Sequence, residues 1–132
     1  MKKIIILSLF LLVGCTNKQL NNSCILEEKA NTLKTSINYT FSFENDILDN
    51  INVTYDYVDT DVNNIKAVKL SNQSQNKFFK DVKINILFDT DQHYKIEYLF
   101  NNDNKEMMDY FKVKKERTKF VKELKTKGYS CK

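Results

Sequence analysis

Strict alternation of apolar and polar residues is the feature that most limits what this chain can become. In residues 35–43, TSINYTFSF, the apolar Ile37, Tyr39, Phe41 and Phe43 alternate with Ser36, Asn38, Thr40 and Ser42. Successive side chains of a strand point to opposite faces, so a period of two means one face to bury and one to leave wet. Glu44, Asn45 and Asp46 supply turn chemistry, and Ile51, Val53, Tyr55 and Tyr57 then resume the alternation, which reads as a hairpin. The device returns downstream. Val82, Ile84, Ile86 and Phe88 recur at every second position, with Lys83 and Asn85 between the first three, DTDQH turns the chain, and Tyr94, Ile96, Tyr98 and Phe100 recur in the same way, with Lys95 and Glu97 between the first three. Two such hairpins predict an antiparallel sheet with one apolar face, and that face needs cover.

Helices are the available cover. Val62, Ile65, Val68, Phe78 and Phe79 give a broken 3.6-residue pattern after a Thr60 or Asp61 cap, with a third strand over residues 65–71 as the rival reading. Met107, Met108, Tyr110 and Phe111 form a short apolar cluster. Phe120, Val121 and Leu124 recur at helical spacing, and Gly128 ends that segment. Residues 24–28, CILEE, suit a short edge strand. The chain is 42% hydrophobic with no Trp or Pro and only two Gly, which favours regular structure over a disordered tail. The fold class expected is α+β: an antiparallel sheet built from two hairpins, with an intervening helix and a C-terminal helix packed on one face.

Ahead of this body stands LLVGC, residues 11–15. Its cysteine can be a buried thiol, a disulfide partner or a processing site. Lys2 and Lys3 precede an uncharged stretch from Ile4 to Val13. As a helix that stretch would rise only about 15 Å, half of a bilayer core, which suits a removed leader rather than a span. Leu12, Val13, Gly14 and Cys15 resemble the bacterial lipobox. That resemblance implies a signal peptide over residues 1–14 and a mature chain beginning at a lipidated Cys15; the polar, aperiodic stretch that follows reads as a tether over 15–23, and the remaining length suits a single domain over 24–132. The resemblance also implies a protein held by acyl chains on the extracytoplasmic face of the cell membrane, since two or three chains anchor stably where one does not.

With Cys15 lipidated, two thiols remain in an oxidising compartment, and a Cys24–Cys131 disulfide is expected. Free or intermolecular thiols are the alternative. The lipobox, the cysteine shortly after it, the order of strands and helix and the terminal GYSCK resemble the small YehR-like lipoproteins of unknown function. The resemblance implies an α+β lipoprotein domain and brings no catalytic residues with it.

Charge is unevenly placed. Residues 112–132 hold nine basic and two acidic side chains, which leaves residues 15–111 at minus 5. Such a basic end either docks on an anionic lipid or wall polymer or is a solvated helix face. Nucleic acid is not expected, because the lipobox implies a place outside the cytoplasm and the basic segment carries only Phe120 and Tyr129, too few aromatics for a stacking platform. His93 is the sole histidine, so a catalytic triad has little to draw on. Asp89, Asp91 and His93 resemble metal ligands but are also ordinary hairpin-turn residues, and two cysteines with one distant histidine lack the spacing of a zinc site. Tyr39, Tyr55, Tyr57, Tyr94 and Tyr98 could form an aromatic platform or a core. Asp56, Asp59 and Asp61 would serve an enzyme only if two of them shared a pocket.

The expectation is therefore a non-catalytic envelope lipoprotein without cofactor, acting as a binding or structural module. Its partners would be the membrane, through acyl chains on Cys15, and an envelope polymer or protein ligand. The alternative is an inhibitor or immunity lipoprotein that captures a protein at the cell surface.

Overall fold

The computed structural model describes residues 20–132. Cys15, the expected leader and the expected tether up to residue 19 lie outside the described residues. The elements run β1 (Leu20–Ala30), β2 (Leu33–Glu44), β3 (Ile47–Val58), α1 (Val62–Asn76), β4 (Lys83–Asp89), β5 (His93–Asn101), α2 (Lys105–Tyr110), α3 (Arg117–Thr126) and β6 (Ser130–Cys131). The strands form one antiparallel sheet in the order β4-β5-β3-β2-β1-β6.

This corrects the fold expected from sequence. In place of a two-hairpin sheet with two helices, the described residues form a six-stranded sheet in which strand predominates, with three short helices. The two expected hairpins, β2–β3 and β4–β5, are both present. The stretch CILEE is part of an eleven-residue strand paired on both sides, not a short edge. Leu20 to Ser23, expected in the tether, belong to that strand.

Turn chemistry explains the hairpins. Asn45 and Asp46 have φ of 50° and 64°, and positive φ at both central positions is what a two-residue type I′ connection demands. Asn31, at φ 56°, turns β1 into β2. Asn and Asp tolerate this region better than other residues with a Cβ, which is how the chain makes tight turns without glycine.

Two bulges re-aim side chains. Phe41 pairs with Ile51 but Phe43 pairs with Leu48, so β3 carries an extra residue and Leu48 and Ile51, of opposite parity, both enter the core. In β4 the register shifts between Ile86 and Phe88. The sequence alternation placed Phe88 beside Ile84 and Ile86; the shift instead pairs it with Lys95, on the opposite face, where it stacks on His93 with ring centroids 4.4 Å apart.

The core lies between the sheet and the helices. Tyr39, Phe41, Ile51, Val53, Ile96 and Tyr98 from the sheet meet Met107 and Met108 of α2, Phe111 and Val113 beyond it, and Phe120 and Leu124 of α3. Every member falls between Cys24 and Leu124. Full burial of each large side chain contributes about 1.5–3 kcal/mol. The helix reading of residues 62–76 prevails over the strand rival, with Asp61 as cap: its side chain accepts from the Asn63 N–H at 2.9 Å. Ile65 is the sole buried residue of α1, so that helix leans on polar contacts. Lys69 pairs with Asp89 at 2.6 Å and the Tyr98 hydroxyl donates to Asn76 at 2.9 Å.

Asp59 is the one charged residue of the described chain that is buried, at 2% exposure. Its carboxylate accepts from the Asp61 N–H at 2.9 Å and from Asn64 at 2.8 Å, and its own N–H donates to the Gln92 carbonyl. It thereby joins the end of β3, the start of α1 and the β4–β5 turn.

Candidate functional site

All three helices cover the face that carries Tyr39, Val53 and Ile96, and the other face of the sheet carries the polar half of each alternation. β3 is its spine. Asn52, Thr54 and Asp56 stand on that face, with Thr40, Asn38 and Ser36 of β2 opposite them and Leu99, Glu97 and Lys95 of β5 on the other flank. Shallow depressions of about 530, 420 and 510 Å³ follow one another along the face. The first and second share Thr40 and Asn52, and the second and third share Ser36 and Asp56, so they form one continuous trough. From Asn50 to Val58 the trough follows roughly 26 Å of strand.

Its side chains are held by one another. Glu97 accepts from Asn52 at 2.7 Å and from Asn85 at 2.9 Å, and Asn52 in turn accepts from the Thr54 hydroxyl at 3.1 Å. Ser23 donates to Asn38 at 3.0 Å. One strand pair along, Asp56 takes a hydrogen bond from His93 Nε2 at 2.8 Å and an ion pair from Lys95 at 3.5 Å. Bonds between partly exposed polar groups contribute modestly to stability but fix rotamers, which presents donors and acceptors in a set pattern. Phe88 and Leu87, each about half exposed, give the β4 side of this face an apolar border.

Chemically the trough offers hydrogen-bonding groups of both kinds, a carboxylate–imidazole–ammonium cluster and an aromatic edge. Asp56 and His93 are paired as two members of a catalytic triad would be, yet among the described residues no hydroxyl or thiol is hydrogen-bonded to the His93 ring. Asp56, Asp59 and Asp61 do not share a pocket: the first stands on the open face, the second is buried at the strand end, and the third caps α1. Asp89 turns to Lys69 while His93 turns to Asp56, so the acidic turn does not converge. Among the described residues no group of three or more His, Cys, Asp or Glu is placed to hold a metal ion.

The five tyrosines lie in the core face rather than on the open one. Burial, foremost, raises the hydroxyl pKa of Tyr39, Tyr55 and Tyr98 and pushes Tyr57 up to about 12, so all four are neutral packing elements at physiological pH. Of the cysteines, Cys24 and Cys131 form a disulfide, with sulfurs 2.07 Å apart. Cys15 lies outside the described residues. Sequence reasoning missed the Asp56–His93–Lys95 and Glu97–Asn52–Asn85 clusters. Alternation marked each of these as outward-facing except His93, but only the β3–β5 pairing brings them together.

No family model matches the chain, and no curated protein matches it. Among solved structures, the NMR structure of a protein from Streptococcus pneumoniae TIGR4 is similar in fold, with a TM-score of 0.58 at 10% identity over 100% of this chain and 97% of that one. At that identity the likeness speaks for the fold alone.

Proposed function

We propose that the protein is a membrane-held, non-catalytic module of the cell envelope that binds an extended polar ligand along the open face of its sheet. The observation that carries the reading is the one-sided cover: three helices on one face leave a continuous trough on the other, and its middle is a hydrogen-bonded polar patch around Asn52, Thr54, Asp56 and Glu97. A polymer that runs along β3 would meet Asn52, Thr54 and Asp56 in turn, each with a flanking partner already oriented. The anchor reading rests on the lipobox-like Leu12–Cys15 sequence and on the resemblance to YehR-like lipoproteins. Cys15 precedes Leu20 by five positions, a reach of at most about 17 Å, which would keep the domain close to its lipid.

A second reading, capture of a protein partner as an inhibitor or immunity lipoprotein, is favoured by one feature. β4 is a sheet edge, and its consecutive Ile86, Leu87 and Phe88 are 48%, 46% and 49% exposed. An apolar edge strand is a ready template for strand addition, although the bulge within it works against regular pairing.

Photocrosslinking in intact cells tests both. A photoreactive residue at Thr54 should capture an envelope polymer while one at Asn63 on α1 captures none. A stoichiometric protein adduct from Leu87 alone would favour the second reading, and no adduct from Thr54 would count against the first.

A further inference from the structure

We infer that the exposed face of α3, together with the segment leading into it, is a docking surface for an anionic lipid bilayer, and that it turns the helical layer towards the membrane and the open sheet face away. The inference deepens the proposed function and rests on its membrane-held reading.

The basic charge of this region is largely uncompensated. Both of its acids are already paired, Glu116 with Lys119 at 2.8 Å and Glu123 with Lys127 at 3.0 Å. The Lys127 hydrogen bond, with the charges of Lys127, Lys114 and Lys112 behind it, holds the Glu123 carboxyl below its usual range, which places the segment before α3 and the helix itself in one electrostatic cluster. Arg117 is engaged by Asp46 at 3.1 Å. Lys114, Lys115, Lys122 and Lys125 are exposed and form no ion pair among the described residues. Lys122 and Lys125, three apart on one helix, share a side. They border a shallow depression of about 530 Å³ with Arg117, Thr118 and Val121. Basic head groups around a half-buried valine suit lipid phosphates at a bilayer surface.

The chain's path agrees with that occupant. β1 begins beside α3: Arg117 reaches Asn22 at 3.5 Å, and its guanidinium lies over the Phe43 ring, which pairs with Leu20. Leu20 itself is 53% exposed. An anchor at Cys15, five residues earlier, therefore tethers the domain at the first turn of α3. Residues 20–111 hold 15 acidic and nine basic side chains, so the rest of the domain is repelled by the same surface. Each basic residue near an anionic bilayer strengthens binding by about fivefold, an effect that added salt screens.

The test uses residues 15–132, which contain the whole core, with Cys15→Ser so that no acyl chain contributes. Co-sedimentation with phosphatidylcholine vesicles containing phosphatidylglycerol should show binding that pure phosphatidylcholine lacks and that high salt removes. Lys122→Gln with Lys125→Gln should weaken it roughly 25-fold. The charge-matched Lys29→Gln with Lys34→Gln, cross-strand partners on the open sheet face, should change it far less, and unaltered melts should show that both variants are folded. Equal binding to neutral and anionic vesicles, an unaffected Lys122/Lys125 variant, or equally tight binding to a soluble glycerol-phosphate polymer would overturn the proposal. Because no lipid is attached, the outcome is separable from that of fatty-acid labelling at Cys15, which tests the anchor itself.

Discussion

Cys24 of β1 and Cys131 of β6 are direct antiparallel partners, their Cα atoms 4.0 Å apart and their sulfurs bonded. The bond closes a loop with a sequence separation of 107 and fastens a strand of only two residues to the sheet edge. Backbone bonds between Ser23 and Lys132, at 3.1 and 2.8 Å, continue the pairing by one residue. In the chain-entropy account a loop of this size is worth about 4–5 kcal/mol, a large part of a small domain's net stability. Cys24→Ser with Cys131→Ser should therefore lower the thermal midpoint by well over ~10 °C, and the oxidised chain should migrate faster than the reduced one as a monomer. Two freely alkylated thiols in protein taken from its native cell would contradict this.

Strand parity can be tested with neighbours on β5. Ile96 is fully buried, while Glu97 stands on the open face and accepts from Asn52 and Asn85. Ile96→Asp removes a buried side chain and strands a charge, a loss above about 4 kcal/mol that should abolish cooperative unfolding. Glu97→Ala should cost about 1–2 kcal/mol for two charge-assisted bonds at a partly exposed site. Thermal melts that reverse the order would refute the register.

Two carboxylates should give the domain an acid-side weakness. The Asp61 N–H foremost, with donors from Thr32, Asn64 and Thr60, holds Asp59 below 3.8, and the Thr118 hydroxyl foremost does the same for Asp46. A folded-state value below the unfolded one stabilises fully above about pH 4 and is lost as pH falls through the depressed value. Urea midpoints should accordingly drop below about pH 4, and Asp59→Asn should flatten that dependence while lowering the plateau. An acid slope identical in Asp59→Asn would rule out this origin.

Gly128 isolates a backbone effect. It closes α3 at φ 96°, where the Tyr129 N–H returns to the Leu124 carbonyl at 3.0 Å. A Cβ there would meet Leu26 Cδ1 at 3.6 Å, an ordinary contact. Gly128→Ala should cost about 1 kcal/mol through strain alone, and Gly128→Asn less. Equal melts for the parent and Gly128→Ala would contradict the strain account.

The long strands were legible because their alternation is a local signal: Ile37 to Phe43 and Tyr94 to Phe100 announce period two without reference to anything distant. β1 was not. Asn22 and Glu28 share the side of Cys24 and Leu26, so its pattern is broken, and its length is set by pairing with β2 rather than by its own residues. β6 exists because a disulfide and Ser23 hold two residues in place. The reversal of Phe88 follows from a bulge that composition does not encode. The trough was half legible: alternation marked Asn52, Asp56, Lys95 and Glu97 as outward-facing, but the β3–β5 adjacency that joins them crosses a helix and a hairpin. Cys15 was legible only as a resemblance.

Metabolic labelling with a fatty acid in the native cell tests directly the proposed anchor, which would hold a binding module at the membrane through Cys15. The wild-type chain should take up label and partition into the detergent phase, and Cys15→Ser should do neither while keeping its Cys24–Cys131 bond. A wild-type chain that takes up no label, or a Cys15→Ser chain that is still labelled, would contradict it.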